Sequence, residues 1–113
     1  LGDGATHVVN VRNLQWLPDL PDDVVVEVPS RVTSSGISPL AHDPLAPEMH
    51  ALAAHVKAYE LLTIEAALTG NHECAMRALL TNPLGPDAAQ VERVWHDILE
   101  TNAPWLPQFD VTR

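Results

Sequence analysis

The sequence predicts an α+β fold, with short antiparallel strands in the N-terminal third, then a long central helix and two shorter helices. Before residue 45, valine-rich segments alternate with prolines, as strands and loops do. After it, apolar residues recur at helical spacing. Strands followed by helices are the order of α+β proteins. We expect one domain over residues 1–113, with strands and loops at 1–45, helices at 46–103 and a tail at 104–113.

Two valine-rich segments predict the first two strands. Residues 7–11 (HVVNV) form the first, and residues 24–28 (VVVEV) form the second. Pro29 is expected to end the second strand because proline cannot donate to a ladder. The consecutive valines indicate that this strand is buried on both faces, with Glu27 as the exception.

A third strand and a hairpin are predicted next. Residues 31–33 and 37–40 can pair around the turn signal Ser34-Ser35-Gly36, in which glycine can take a positive φ. Residues 12–23 contain two prolines and three aspartates, so they are predicted to form a loop. The acidic pair Asp22-Asp23 is interpreted as a turn, whereas the role of Glu27 is left open.

Residues 48–69 predict one long helix of about six turns. Pro47 suits its first turn, and Gly70 suits the residue that ends it. Because apolar positions cover much of its circumference, we expect this helix to be the most buried one. Lys57 is positioned to pair with Glu60 three residues later. The apolar positions form two stripes, Leu52, Val56 and Tyr59, and Leu61, Ile64 and Leu68.

Two shorter helices should follow the long one. Asn71 can cap the first of them, which is predicted to run to Thr81. The second is predicted to open at Pro86 or Asp87 and to reach about Thr101. The residues expected to face inward are Ala75, Ala78 and Leu79 on the first, and Val91, Val94, Trp95 and Ile98 on the second.

The end of the chain combines prolines with two aromatic residues. Helical structure is expected to fray from Glu100 onward, and the tail after it carries Trp105 and Phe109. Aromatic side chains in a proline-rich tail indicate that the tail docks onto another surface.

Composition narrows the classes of partner. The chain has 15 acidic and 6 basic residues, a formal charge of -9, which argues against nucleic acid and against anionic membrane surfaces. No apolar run approaches the roughly 20 residues that span a bilayer. The single Cys74 excludes an internal disulfide and fits a reducing compartment, so we expect a cytoplasmic protein. The start lacks Met and a signal peptide, which indicates trimming or a cut from a longer chain.

The sequence contains no complete catalytic motif. It lacks a glycine-rich phosphate loop and a His-Glu-x-x-His zinc helix. His72 and Cys74 are two residues apart, so on a helix they point about 200° apart and are not expected to share a metal. Cys74 is predicted to face the core. Glu65 lies in an apolar stretch without a helix partner, and we expect a structural rather than a catalytic role for it.

Several segments together resemble glycoside hydrolase family 4, most closely its 6-phospho-beta-glucosidase branch. Each segment is short, but they cover nearly the whole chain in the order and spacing of that family. They are residues 8–13 (VVNVRN), 17–29 (LPDLPDDVVVEVP), 36–40 (GISPL), 57–70 (KAYELLTIEAALTG), 78–84 (ALLTNPL) and 106–109 (LPQF).

The resemblance implies an enzyme that hydrolyses phosphorylated beta-glucosides, disaccharides or aryl glucosides, with NAD and a divalent metal, usually manganese. In that family NAD oxidises the sugar C3 hydroxyl, a base removes the C2 proton, the aglycone is eliminated, water adds and the hydride returns. This is the NAD-dependent exception to two-carboxylate glycosidases. The resemblance also implies an N-terminal Rossmann domain and a homo-oligomer.

The family's dinucleotide loop, metal ligands and catalytic tyrosine precede the part that this chain resembles. No catalytic, cofactor-binding or metal-binding residue is therefore assigned, and the chain alone is expected to be structural and inactive. Arg12 and Asn13 are candidates for lining the sugar site of the whole enzyme. They begin a loop in which residues 14–16 (LQW) stand where the family commonly has a glycine-containing turn.

Two alternatives remain open. The parent protein could belong to another branch of the family, of the alpha-galactosidase or alpha-glucuronidase type. The chain could also be a free-standing helical interaction module that shares only ancestry with these enzymes.

Overall fold

The computed structural model describes residues 3–109, so the last four residues of the predicted tail lie outside the described part. The chain divides into two compact units, residues 1–46 and 47–113. The first unit contains strands and the second contains helices, which confirms the predicted α+β class.

The first unit is a three-stranded antiparallel sheet in the order β1-β2-β3. Its strands are β1 (Asp3–Arg12), β2 (Val25–Thr33) and β3 (Gly36–Pro39). The predicted hairpin joins β2 to β3, and Gly36 takes a φ of +131° at its turn. Strand β1 extends beyond the predicted residues 7–11 at both ends.

The predicted burial of β2 on both faces is wrong. Val24, Val26 and Val28 are buried, whereas Val25 is 53% exposed and Glu27 is also exposed. Since side chains alternate along a strand, the run of valines places one set on the buried face and leaves Val25 on the other. Glu27 therefore follows the alternation and is not an exception within a buried strand.

Pro29 does not end β2, contrary to the prediction. It lies opposite Val8 in the ladder, and the strand continues to Thr33. Its carbonyl faces β3 and accepts a hydrogen bond from Leu40 N at 2.9 Å. Two opposite residues of an antiparallel ladder can exchange two hydrogen bonds. Pro29 has no N–H, so only the bond that it would donate to Leu40 is missing. This position lies just beyond the last pair of the β2–β3 ladder, Ser30 with Pro39.

The second unit begins with α1 (Pro47–Thr69), which confirms the predicted long helix. Gly70 ends it with a φ of +67°, and its N–H bonds to Ala66 O at 2.9 Å. Helix α2 (His72–Thr81) follows, with the Asn71 side chain capping Cys74 N at 3.0 Å as predicted.

Helix α3 (Val91–Asn102) begins four residues after Asp87 and so later than predicted. The Asp87 carbonyl accepts from both Gln90 N and Val91 N, so residues 88–90 form a turn. The helix does not fray at Glu100 but continues to Asn102, where a 3-10 turn (Ala103–Trp105) follows. None of the helices in residues 3–109 is long and apolar enough to cross a membrane.

A small core joins the three helices and the tail of the second unit. Its buried members are Ala66, Cys74, Ala75, Leu99 and Phe109, and Trp95 and Leu106 pack against them. Phe109 is 5% exposed, so the predicted docking of the tail is confirmed for this residue, whereas Trp105 is 82% exposed.

The prediction that α1 is the most buried helix is wrong for this chain. Ala66 is its only buried residue among those described, and the stripe of Leu61, Ile64 and Leu68 is 42%, 55% and 80% exposed. Helix α2 covers only one side of α1, whereas the apolar residues of α1 extend around most of its circumference.

Candidate functional site

The two candidate residues for the sugar site lie where β1 enters the loop of residues 13–24. Arg12 is the last residue of β1 and is exposed, whereas Asn13 is completely buried. Within residues 3–109 no hydrogen bond or ion pair engages the Arg12 guanidinium. The structure therefore gives these adjacent residues different functions, one presented to the outside and one holding the loop.

The Asn13 side chain is the centre of the loop. Its Nδ2 donates to three backbone carbonyls, those of Leu17 at 2.9 Å, Leu20 at 2.9 Å and Pro21 at 3.0 Å. Its Oδ1 accepts from Leu17 N at 2.8 Å. Asparagine has two amide protons and one carbonyl oxygen to offer, so this buried amide is fully used within its own loop.

The tip of the loop is a tight turn made without glycine. Trp16 N donates to Asn13 O at 2.8 Å, and the two central residues, Leu14 and Gln15, have φ values of 41° and 76°. Positive φ at both central positions defines a type I′ turn, which normally contains Gly or Asn. The loop therefore keeps the conformation of a glycine-containing turn although it lacks the glycine.

Further contacts close the loop around this turn. Asn13 N donates to Val24 O at 2.8 Å and extends the β1–β2 ladder by one step. Leu14 N donates to Asp22 O at 3.1 Å, and the Gln15 side-chain amide donates to the Asp22 carboxylate. Asp22 thus acts as a turn residue, as interpreted from the sequence.

The outward face of the sheet carries Arg12 together with polar neighbours. The register places Asn10 opposite Glu27 and Arg12 opposite Val25, and all four residues are exposed. Glu27, whose role the sequence left open, is thus diagonal to Arg12 on the same face. The sequence pattern alone could not give this pairing, because it depends on the register.

In the second unit the single cysteine faces the core, as predicted. Burial raises the pKa of the Cys74 thiol, and a hydrogen bond to the Glu65 carboxylate raises it further. A cysteine held in its thiol form is a poor nucleophile and a poor metal ligand.

The predicted pair of Lys57 and Glu60 is present as an ion pair on α1. Among residues 3–109, no three His, Cys, Asp or Glu side chains are grouped so that they could hold a metal ion.

A contact between Trp95 and His72 in the second unit was not among the sequence predictions. His72, Trp95 and Phe109 bring three rings together, and we refer to these residues as the aromatic cluster. Trp95 Nε1 donates to His72 Nδ1 at 3.1 Å. Because 23 residues separate the two partners, no local spacing rule could indicate their contact.

Comparison with known proteins agrees with this architecture. The sequence model of the Family 4 glycosyl hydrolase C-terminal domain matches residues 2–85. The chain therefore belongs to family 4 of the glycosyl hydrolases.

Curated relatives include the 6-phospho-beta-glucosidase BglT of Thermotoga maritima, 40% identical over 92% of this chain and 25% of that protein. A probable 6-phospho-beta-glucosidase of Bacillus subtilis is 34% identical over 89% of this chain and 23% of that protein. The chain thus spans about a quarter of the length of the relatives it matches.

Two solved structures share the fold. The Thermotoga maritima 6-phospho-beta glucosidase, determined with manganese, NAD+ and glucose-6-phosphate, has a TM-score of 0.81 at 37% identity, covering 93% of this chain and 26% of that one. A 6-phospho-alpha-glucosidase from gut microorganisms, in complex with NAD and glucose-6-phosphate, has a TM-score of 0.85 at 27% identity, covering 96% and 24%.

Proposed function

We propose that this chain is the C-terminal portion of a cytoplasmic 6-phospho-beta-glucosidase that depends on NAD and a divalent metal, and that alone it is structural and inactive. The observation that carries the proposal is the 40% identity to a 6-phospho-beta-glucosidase along 92% of the chain. Identity to a phospho-alpha-glucosidase is lower, at 28% over 84% of the chain. The beta-linked phosphorylated glucoside is therefore the first substrate to test.

Residues 3–109 do not fit a cofactor or metal site. The sequence has no glycine-rich phosphate loop, and the described residues contain no group of metal ligands. Cys74, the only thiol of this sequence, is buried. The proposal accordingly assigns NAD and the metal to the remainder of the protein, including an N-terminal Rossmann domain.

Within that enzyme we assign Arg12 and Asn13 to the sugar site in different ways. The exposed guanidinium of Arg12 offers several N–H donors in a fixed fork, which suits sugar hydroxyls and a phosphate group. The amide of Asn13 is already engaged, so its contribution is to fix the loop next to Arg12.

We also propose that the stripe of Leu61, Ile64 and Leu68 on α1 contacts a second copy of the chain in a homo-oligomer. Three exposed apolar side chains at helical spacing form a continuous surface of the kind found at interfaces. The chain alone should associate with itself, as measured by light scattering, and Leu68→Glu should reduce that association. A monodisperse monomer at high concentration would count against the interface.

The test of the proposed function uses the full-length gene product. Hydrolysis of p-nitrophenyl 6-phospho-beta-glucoside and of its alpha isomer is measured with and without NAD and manganese. Hydrolysis of the beta substrate that requires both NAD and manganese supports the proposal. Arg12→Ala should then raise KM for that substrate. Arg31→Ala, on strand β2 of the same sheet, serves as the control. Turnover of the alpha substrate or of unphosphorylated glycosides would assign another branch of the family. No turnover of any glycoside would favour an interaction module.

A further inference from the structure

The turn at the tip of the loop of residues 13–24 is strained at two adjacent residues. Leu14 and Gln15 have φ values of 41° and 76°, in the left-handed region. This region is unfavourable for residues other than glycine, because their Cβ lies too close to the following carbonyl oxygen. Strained backbone persists where the surrounding structure holds it, and it concentrates at functional sites. The strain therefore points to a function of the side chains at this turn.

The body of the loop holds the turn without using the Leu14 side chain. The buried amide of Asn13 bonds to three backbone carbonyls and to one backbone N–H. Trp16 N donates to Asn13 O at 2.8 Å, and Leu14 N donates to Asp22 O at 3.1 Å. Only the backbone of Leu14 takes part in these bonds. Glycine or asparagine at this position would keep the turn with less strain.

The two side chains at the tip of the turn differ in what they contact. The Gln15 amide donates to the Asp22 carboxylate, so this side chain is bound to its own loop. The Leu14 side chain is apolar and 59% exposed. Burial within this chain therefore offsets little of the strain at Leu14. The loop presents Leu14 as an outward apolar group on a rigid support.

Leu14 lies close to the residue that the proposed function assigns to the sugar. Arg12, also exposed, is two residues earlier, and the two Cα atoms are at most about 7.6 Å apart because consecutive Cα atoms are 3.8 Å apart. The phosphorylated glucose is polar, so it offers little to a leucine side chain. The aglycone can be apolar, and it is joined directly to that sugar.

We propose that Leu14 determines aglycone specificity by contacting an apolar, aryl-type aglycone next to the phosphorylated sugar held at Arg12. This inference rests on the proposed function. A side chain held rigidly before binding loses little freedom when the aglycone arrives, which strengthens the contact. Because leucine has no group that transfers a proton, its contact affects which glycoside is preferred and not the chemical steps. Removing one apolar contact of this size typically costs about tenfold in kcat/KM.

The experiment compares two substrates with the full-length gene product, in the presence of NAD and manganese. They are p-nitrophenyl and methyl 6-phospho-beta-glucoside, and the readout is the ratio of their kcat/KM values. Comparing each variant with the original enzyme cancels the difference between the two leaving groups. Leu14→Gly and Leu14→Asn should lower the ratio about tenfold, through a higher KM for the aryl substrate. Leu14→Met, which keeps an apolar side chain, should retain the ratio.

The matched control is Gln15→Asn at the adjacent residue of the same turn, which should leave the ratio unchanged. Urea denaturation should show that Leu14→Gly and Leu14→Asn are at least as stable as the original chain, so that a fall does not reflect unfolding.

The inference is overturned if Leu14→Asn leaves the ratio unchanged, or if Gln15→Asn lowers it equally. An equal loss with both substrates also overturns it, and would indicate that Leu14 contacts another protein surface, such as a second copy. An original enzyme that hydrolyses neither substrate refutes the proposed function and this inference with it. An active enzyme with an unchanged ratio in Leu14→Asn refutes the inference alone.

Discussion

Replacing Asn13 with alanine tests whether one buried amide holds the loop of residues 13–24. Its Nδ2 group donates two protons to three carbonyls, and its Oδ1 accepts one backbone N–H. At about 1 kcal/mol for each of three net hydrogen bonds, Asn13→Ala should lower the free energy of unfolding by about 3 kcal/mol. Water that enters the opened loop would reduce this loss, and carbonyls left buried without donors would increase it.

The assay for Asn13→Ala is urea denaturation, monitored by circular dichroism. The urea concentrations at the unfolding midpoint are compared between variants that have the same m value, the dependence of the free energy of unfolding on urea concentration. Asn10→Ala is the matched control, because it removes the same group three residues earlier from an exposed position. Asn10→Ala should change the stability by no more than about 0.5 kcal/mol. If the two variants are equally stable, the reasoning that assigns the loop to the buried amide is refuted.

Three further predictions concern backbone strain and the thiol. Leu14→Gly should stabilise the chain by about 0.5 kcal/mol in the same assay, because it relieves a positive φ at some cost in chain entropy, whereas Leu14→Ala should not. Gly70→Ala should destabilise by at least 2 kcal/mol more than Gly4→Ala, which has a similar φ but nothing within 4 Å of its new Cβ; equal losses would contradict the close approach of the tail. Because the pKa of Cys74 is raised in the folded chain, its thiol stabilises the fold fully below the pKa of the unfolded chain's cysteine, and this contribution is lost as the pH rises from that value through the raised pKa of the folded chain. The decline in the free energy of unfolding with rising pH should be smaller in Glu65→Gln, as measured by urea denaturation between pH 7 and 10.

The helix ends were predictable because local residues determine them. Asn71 caps α2 through its own side chain, and Gly70 ends α1 in the left-handed conformation that glycine readily adopts. The fold class followed from the same kind of local signal. The ion pair of Lys57 with Glu60 also obeys a spacing rule that acts within one turn of helix.

The errors arose where distant residues decide the structure. Pro29 was expected to end β2, but its missing N–H falls beyond the last paired residues, and only the register with β3 reveals that. The exposure of Leu68 could not be predicted from periodicity, because an apolar stripe does not indicate whether its partner lies within the chain. The contact of His72 with Trp95 likewise depends on how two helices pack.

The turn at Leu14 and Gln15 shows how a tertiary contact overrides a local preference. Left-handed backbone costs roughly 1–2 kcal/mol for each residue other than glycine, so this turn carries roughly 2–4 kcal/mol of strain. The buried amide of Asn13 contributes about 3 kcal/mol, which is the same size. The strained turn can therefore persist because the amide organises the loop behind it. A sequence that keeps the asparagine can vary the two residues at the tip without losing the conformation, which leaves those exposed positions free to change with the surface they face.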